Sequence, residues 1–309
     1  MKTAELEWKN LCYNEKNGDC CYLLADFYRT DWASGPIGKY SLKNSLKTFT
    51  DCCANLQWAS CCKSAADVFL YNSLQAPNLY SGKRSMLFGL EALRLSCLEA
   101  DYSHVGGERP TDFKSMDLAG QACDDLYKMV DSLRNRDVLN LVSEKEHVTF
   151  SQKSLVETLE AEHQELLNKT NPSPMTKTNL KPDLPKIKEM IQTLPITTII
   201  NKGCQFQNGN MCMKKFQGQM KGVFGFDKNV DEAYDAGEIS CKKNNPKACF
   251  NLWKMYENGI GRPPNMYKAD VYRSFYEEIS GINARKQRMH KDRSRGKVQM
   301  AGREEIKFK

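Results

Sequence analysis

The sequence predicts an all-α chain, a right-handed α-solenoid of five helix-pair repeats joined by disulfides. Three observations predict it. Cysteines recur at a fixed phase relative to apolar segments. Those segments have helical spacing. A hydrophobic content of 40% against 27% charged residues is lean for one compact core, but it suffices for stacked helix pairs, where each repeat buries only its contacts with its neighbours.

The clearest unit runs from Cys241 to Gly261. Cys241 and Cys249 bracket a polar loop, and Leu252, Met255 and Tyr256 follow at i, i+3 and i+4, one face of a helix. Gly259 and Gly261 then stop it. The same phase recurs at Cys12 and Cys21, Cys53 and Cys62, Cys97 and Cys123, and Cys204 and Cys212. The first cysteine of each pair closes a predicted helix and the second opens the next. Openings are 41, 61, 89 and 37 residues apart. The shorter spacings suit helix-hairpin repeats of about 34–47 residues, and the longer ones need insertions.

This phase favours disulfides. A closing helix and the next opening helix are antiparallel neighbours across a short loop, which brings two Cα atoms within the roughly 4.4–6.8 Å a disulfide requires. Each closure contributes about 2.5–3 kcal/mol in the chain-entropy account. Zinc is the weaker reading, because no Cys-x2-Cys pairs or Cys/His clusters stand at ligand spacing, and no metal site is predicted. Of the 13 cysteines, Cys20, Cys52 and Cys61 fall outside the five pairs, each beside a paired one. Adjacent helical residues point about 100° apart, so one of each doublet faces the neighbouring helix. Cys52 and Cys61 share the nine-residue offset of Cys53 and Cys62 and compete for that junction. They are spare buried thiols or an exchangeable redox pair.

With these residues in view, the chain resembles a known family. Leu252-x-x-Met-Tyr256-x-x-Gly259-x-Gly261, followed by Lys268-Ala269, is similar to the Sel1-like repeat, a relative of tetratricopeptide helix pairs. The layout of five cysteine pairs, with Cys12-Tyr-Asn-Glu-Lys and Cys21-Tyr-x-Leu near the start, resembles the cysteine-rich Sel1 proteins, and among them the cytochrome c oxidase assembly factors of the mitochondrial intermembrane space. The resemblance covers roughly 1–125 and 185–285. It implies an assembly scaffold for respiratory-chain complexes, chiefly cytochrome c oxidase. Such a scaffold would bind client proteins on a concave face through exposed aromatic and Met side chains, after oxidative import into that space. Haem binding has been associated with the family. Related sequences often place a His directly after the third helix-opening cysteine, where this chain has Asp124, so no cofactor is expected. Bacterial cysteine-rich Sel1 proteins have been linked to β-lactam hydrolysis. Ser-x-x-Lys occurs at Ser60–Lys63, Ser240–Lys243 and Ser294–Lys297, but without the Ser-Asp-Asn or Lys-Thr-Gly partners such chemistry uses.

The predicted organisation is repeats over 1–130, an insertion over 131–183, repeats over 184–280 and a basic tail over 281–309. Within the insertion, Leu155, Leu159 and Leu166 fall on one face of an amphipathic helix, a loop element or a helix that docks a partner. Proline-rich linkers at Asn171–Met175 and Lys181–Pro185 follow. Ile187, Ile191, Leu194, Ile199 and Ile200 supply the helix before Cys204, with a bend or restart at Pro195. The tail holds 10 Lys/Arg against 3 Asp/Glu, and so the whole +7 of the chain. With only Phe308 to stack on bases, it does not predict nucleic-acid binding. It suits a solvated end or weak contact with an anionic membrane surface.

Several classes are excluded or weakened. No window approaches 18 apolar residues. The first residues carry neither a secretory apolar core nor an Arg/Ser-rich presequence. Cysteine-rich chains of this kind fit a cytosolic metal protein or a compartment that traps proteins by oxidation. His104, His147, His163 and His290 lie outside repeat cores, so no catalytic residue is predicted. Two alternatives remain open: a thiol-disulfide oxidoreductase acting through Cys20, Cys52 and Cys61, and a secreted Sel1 adaptor bearing the Asn168-Lys-Thr170 sequon.

Overall fold

In a computed structural model, the structure describes residues 2–29, 42–74, 79–99, 113–134, 139–142, 147–150, 180 and 182–281. These form twelve α-helices and one hairpin. The helices are α1 (Lys2–Tyr13), α2 (Gly18–Arg29), α3 (Leu42–Leu56), α4 (Ala59–Leu74), α5 (Leu79–Arg94), α6 (Phe113–Arg134), α7 (Leu184–Gln192), α8 (Ile196–Gln205), α9 (Gly209–Lys221), α10 (Val230–Lys242), α11 (Pro246–Asn258) and α12 (Met266–Ile279). The chain forms two compact units, Met1–Met211 and Cys212–Lys309. Among the described residues no helix is long and apolar enough to cross a membrane.

The hairpin was not expected. β1 (Leu139–Val142) and β2 (His147–Phe150) pair antiparallel, Leu139 opposite Phe150 and Val142 opposite His147. Both runs are β-prone and flank the polar Ser143-Glu-Lys-Glu146, a strand–turn–strand signal. The predicted Leu155/Leu159/Leu166 helix, the sequon, Ser294–Lys297 and the basic tail lie outside the described residues.

Four junctions share one backbone grammar. Each passes through a residue in the left-handed region: Lys16 (φ 55), Gln57 (φ 50), Gln207 (φ 55) and Asn244 (φ 60). In three of them the following residue donates its N–H back into the last helical turn: Asn17 to Leu11 O at 2.9 Å, Asn208 to Gly203 O at 3.0 Å and Asn245 to Ser240 O at 3.1 Å. Such αL endings satisfy carbonyls that a helix end would otherwise orphan. The same asparagines then cap the next helix. Asn17 Oδ1 accepts from Cys20 N at 3.1 Å. Asn208 Oδ1 accepts from Asn210 N and Met211 N at 3.0 Å, and Asn245 Oδ1 from Lys247 N at 3.1 Å. A cap of this kind contributes about 1 kcal/mol. The helix-opening cysteine follows one turn later, on the face turned back to the preceding helix.

The first unit packs large apolar side chains among small ones. Leu24, Phe49, Phe69, Leu93, Leu126 and Leu133 are fully buried, among many buried Ala and Ser. Helix α5 continues into a π turn, Leu95–Glu99, that carries Cys97. Cys123 sits midway along α6 rather than at its start, because α6 begins at Phe113. Pro195 restarts the chain, as the N-cap of α8. The end of α7 is closed from outside: the Arg134 guanidinium donates to the carbonyls of Met190 and Ile191 at 2.6 Å and to that of Leu194.

In the second unit the residues of the Leu252 motif form the core. Leu252, Met255 and Tyr256 are buried with Tyr234, Ala269 and Tyr272. Tyr256 stacks on Tyr272 at 5.5 Å between centroids, and the Tyr234 hydroxyl donates to Ile260 O at 2.8 Å. Gly259 ends α11 at φ 69, with its N–H on Met255 O.

Candidate functional site: the stapled junctions

The helix junctions place the cysteines. Cys12 pairs with Cys21 across a Cα separation of 4.6 Å, Cys53 with Cys62 at 4.6 Å, Cys97 with Cys123 at 4.9 Å and Cys241 with Cys249 at 4.8 Å. Cys204 and Cys212 are disulfide-bonded as well. These cysteines are nearly or completely buried.

Two cysteines assigned as surplus thiols are not thiols. Cys52 is bonded to Cys61, with a Cα separation of 5.9 Å. It does not compete with Cys53–Cys62, because adjacent residues on each helix point in different directions and both bonds form side by side. The shared nine-residue offset was the signal for a second bond. This added pair faces the first junction: Cys52 Sγ lies 4.0 Å and Cys61 Sγ 3.8 Å from Gly18 O. Gly18 opens α2, and a Cβ there would overlap the Trp58 indole, so the two junctions stack at a bare backbone. A half-open cavity of about 280 Å³ between them is lined by Cys12, Cys21 and Cys52 with Tyr13, Lys16 and Asp51.

Cys20 alone is free. It is partly exposed. Burial, then the negative charges of Asp19, Glu15 and Glu7, push its thiol up from its ordinary value. A reactive cysteine needs the opposite, an electropositive setting that favours thiolate.

Other candidate chemistry is committed elsewhere. Lys63, in the first Ser-x-x-Lys, is buried and paired with Asp67, and with Asp125 at 3.2 Å, while the Ser60 hydroxyl is buried without a hydrogen-bond partner. The pair therefore does not form a base-activated nucleophile. Asp124 Oδ2 takes Lys128 at 3.0 Å and Asn210 at 3.3 Å. A carboxylate so held offers no imidazole to haem iron, and the position does not fit that cofactor. Among the described residues no group of three or more His, Cys, Asp or Glu is placed to hold a metal.

One charged cluster was not foreseen. Glu91 and Arg94 are both almost fully buried beside the π turn, joined at 2.7 Å. Glu99 joins Arg94 and also takes Lys186 at 3.1 Å. Burial opposes the Arg94 charge, but the hydrogen bonds and charges of Glu91 and Glu99 outweigh it and hold its pKa above the ordinary value. No i, i+3 rule marks such a pair as buried, so the sequence did not show it. Compared with protein-family models and with curated proteins, the chain matches none.

Proposed function

We propose that this chain is a scaffold of disulfide-linked Sel1-like repeats, arranged as a right-handed solenoid, that holds client proteins during assembly of respiratory-chain complexes, chiefly cytochrome c oxidase, in the mitochondrial intermembrane space. The observation that carries the scaffold reading is the fate of the cysteines. Twelve are disulfide-bonded, and the remaining thiol is disfavoured as a nucleophile. Staples at helix junctions stabilise; they do not turn over. Such a set suits an oxidising compartment. The clients and the compartment rest on the resemblance of the Cys12–Cys21 region and the Leu252 motif to the assembly-factor family.

The test is depletion and rescue. Cells lacking the protein should lose assembled cytochrome c oxidase on native gels. Wild-type protein and the Cys20→Ser variant should restore it equally. Normal oxidase in depleted cells refutes the assembly role. Failure of a stably folded Cys20→Ser protein moves it into the oxidoreductase class.

A further inference from the structure

Helix α1 brings little to the core except its cysteine. Of residues 4–13 only Cys12 is buried. At other junctions both stapled helices bury large apolar side chains of their own: Phe49 and Phe69 in α3 and α4, Leu93 and Leu126 in α5 and α6, Tyr234 and Leu252 in α10 and α11. There packing holds the helices even with the bond open. At α1 that duty falls on the disulfide.

The noncovalent ties of α1 are shallow. The Tyr28 hydroxyl donates to Glu5 at 3.0 Å, and Trp8 meets Phe27 edge-on with centroids 5.9 Å apart. Tyr13 and Thr48 share a hydroxyl contact at 3.3 Å. Lys9 pairs with Glu5 of its own helix at 2.7 Å and stands 6.0 Å from the centre of the Tyr28 ring. A helix of 12 residues is marginal in water by itself. Without its staple, α1 has neither the length nor a buried apolar face to keep it in place.

The bond that holds it is within reach of a small reagent. Cys12 and Cys21 both line the half-open cavity of about 280 Å³ between the first two junctions, which has room for a small-molecule thiol. Among the described residues Cys52 lines it too, while Cys53, Cys61 and Cys62 are fully buried outside its lining. Lys16 and Asp51 at this cavity balance in sign, so access rather than charge sets the exchange. Cys241 also lines a cavity, but its helices are held by their own core.

We infer that Cys12–Cys21 is a redox latch, opened through this cavity by a small-molecule dithiol, and that opening it releases α1 from α2. A thiolate of the dithiol attacks one sulfur of the bond and forms a mixed disulfide. The other sulfur leaves as thiolate and takes a proton from water. The reagent's second thiol loses its proton and displaces the remaining cysteine in the same way. Cys12 and Cys21 end as thiols and the reagent as a cyclic disulfide, two electrons having passed to the protein. Release uncovers Phe27 and Tyr28 and frees Trp8, and reoxidation closes the strap again. The latch goes beyond the scaffold reading and needs neither its clients nor its compartment.

The experiment uses the full chain under native conditions. Dithiothreitol is added, thiols are alkylated at successive times, and peptide mapping assigns them, with Cys20 free from the start. Cys12–Cys21 should open at least about tenfold faster than Cys53–Cys62 and Cys97–Cys123. Hydrogen exchange then reads the strap. Once the bond is open, amides of residues 4–12 should exchange at least about tenfold faster relative to those of α3, which report global opening. Cys12→Ser with Cys21→Ser should show this separation without any reagent. Cys241→Ser with Cys249→Ser should not separate α11 from α10. Opening of Cys53–Cys62 or Cys52–Cys61 ahead of Cys12–Cys21, or of all bonds at one rate, overturns the inference. So does an open Cys12–Cys21 that leaves the exchange of residues 4–12 unchanged relative to α3.

Discussion

The α3–α4 junction carries two disulfides, and their energies should not add. Cys53–Cys62 and Cys52–Cys61 each span nine residues, so either alone closes the same loop. In the chain-entropy account one such closure contributes about 2.6 kcal/mol at 25 °C. Once it is made, the second pair lies one residue along from the first and is already close together in the unfolded chain. Its further contribution is a fraction of the first. Replacing one pair by alanine should therefore cost well under the full amount from chain entropy. Replacing both should exceed the sum of the single-pair losses by about 1–2 kcal/mol. Cavity terms enter the single-pair and four-residue variants alike and cancel in the cycle. The assay is guanidinium unfolding without reductant on wild type, the two paired variants and the quadruple variant. The denaturant slope should rise most in the quadruple variant, whose unfolded state is least constrained. As a reference, Cys241→Ala with Cys249→Ala, at a singly stapled junction, should lose about 2.5 kcal/mol outright. Losses at α3–α4 that add within about 0.5 kcal/mol would refute the shared-loop argument.

Three further outcomes follow from the same geometry. Thiol titration of the denatured, unreduced protein should find one thiol per chain, Cys20, and in the native protein that thiol should alkylate more slowly than free cysteine at pH 8; a count near 13 would remove the staples altogether. Gly18→Ala should lower stability by about 1–3 kcal/mol through overlap with Trp58, and an unchanged or raised melting temperature would show that the first two junctions do not stack there. Glu99 is partly buried, which opposes its charge, but Arg94 and Lys186 outweigh this and hold its carboxyl below the ordinary 4.5. The folded chain thus keeps that charge to lower pH than the unfolded chain. The resulting stability is present above about pH 4.5 and lost as pH falls through the depressed value, so Glu99→Gln should flatten the melting profile between pH 3 and 5, and an identical slope would exclude the ion cluster as its source.

Much of the fold was legible because it is local. Every cysteine phase but that of Cys97–Cys123 rests on a chain reversal of a few residues, and Asn17, Asn208 and Asn245 write its capping chemistry in the sequence. The αL positions were less legible, since Lys16, Gln57 and Gln207 occupy a conformation that usually advertises itself with glycine. Cys52–Cys61 could have been read from its offset, but choosing between competition and coexistence needs the relative rotation of two helices. The Trp58–Gly18 contact and the Glu91–Arg94–Glu99–Lys186 cluster are long-range, and no spacing rule reaches them. The ring cluster of Phe250, Trp253 and Tyr276 joins two helices, and no spacing within either one marks it.

The distribution of staples argues for their role. Around the doubly stapled junction two large side chains, Phe49 and Phe69, are buried, and most of the other buried residues are small or polar: Ser45, Thr48, Thr50, Ala59, Ser60, Ser64, Ala65 and Ala66. Such side chains bring little of the roughly 1.5–3 kcal/mol that burial of a Leu or Phe contributes. Around the singly stapled Cys241–Cys249 junction the large side chains Tyr234, Leu252, Met255, Tyr256 and Tyr272 are buried, together with Ala233, Ala236, Ser240 and Ala248. The doubled cross-link thus stands where small and polar side chains make up most of the buried set. A catalytic disulfide has no reason to follow core composition; a structural one does, because it compensates for packing that small residues cannot supply. Enlarging the α3–α4 core separates these cases. An Ala65→Val or Ala66→Val substitution that packs without strain should reduce the loss on removing Cys52–Cys61 if the bond is there to hold the helices together. It should leave any thiol-exchange rate of that bond as it was.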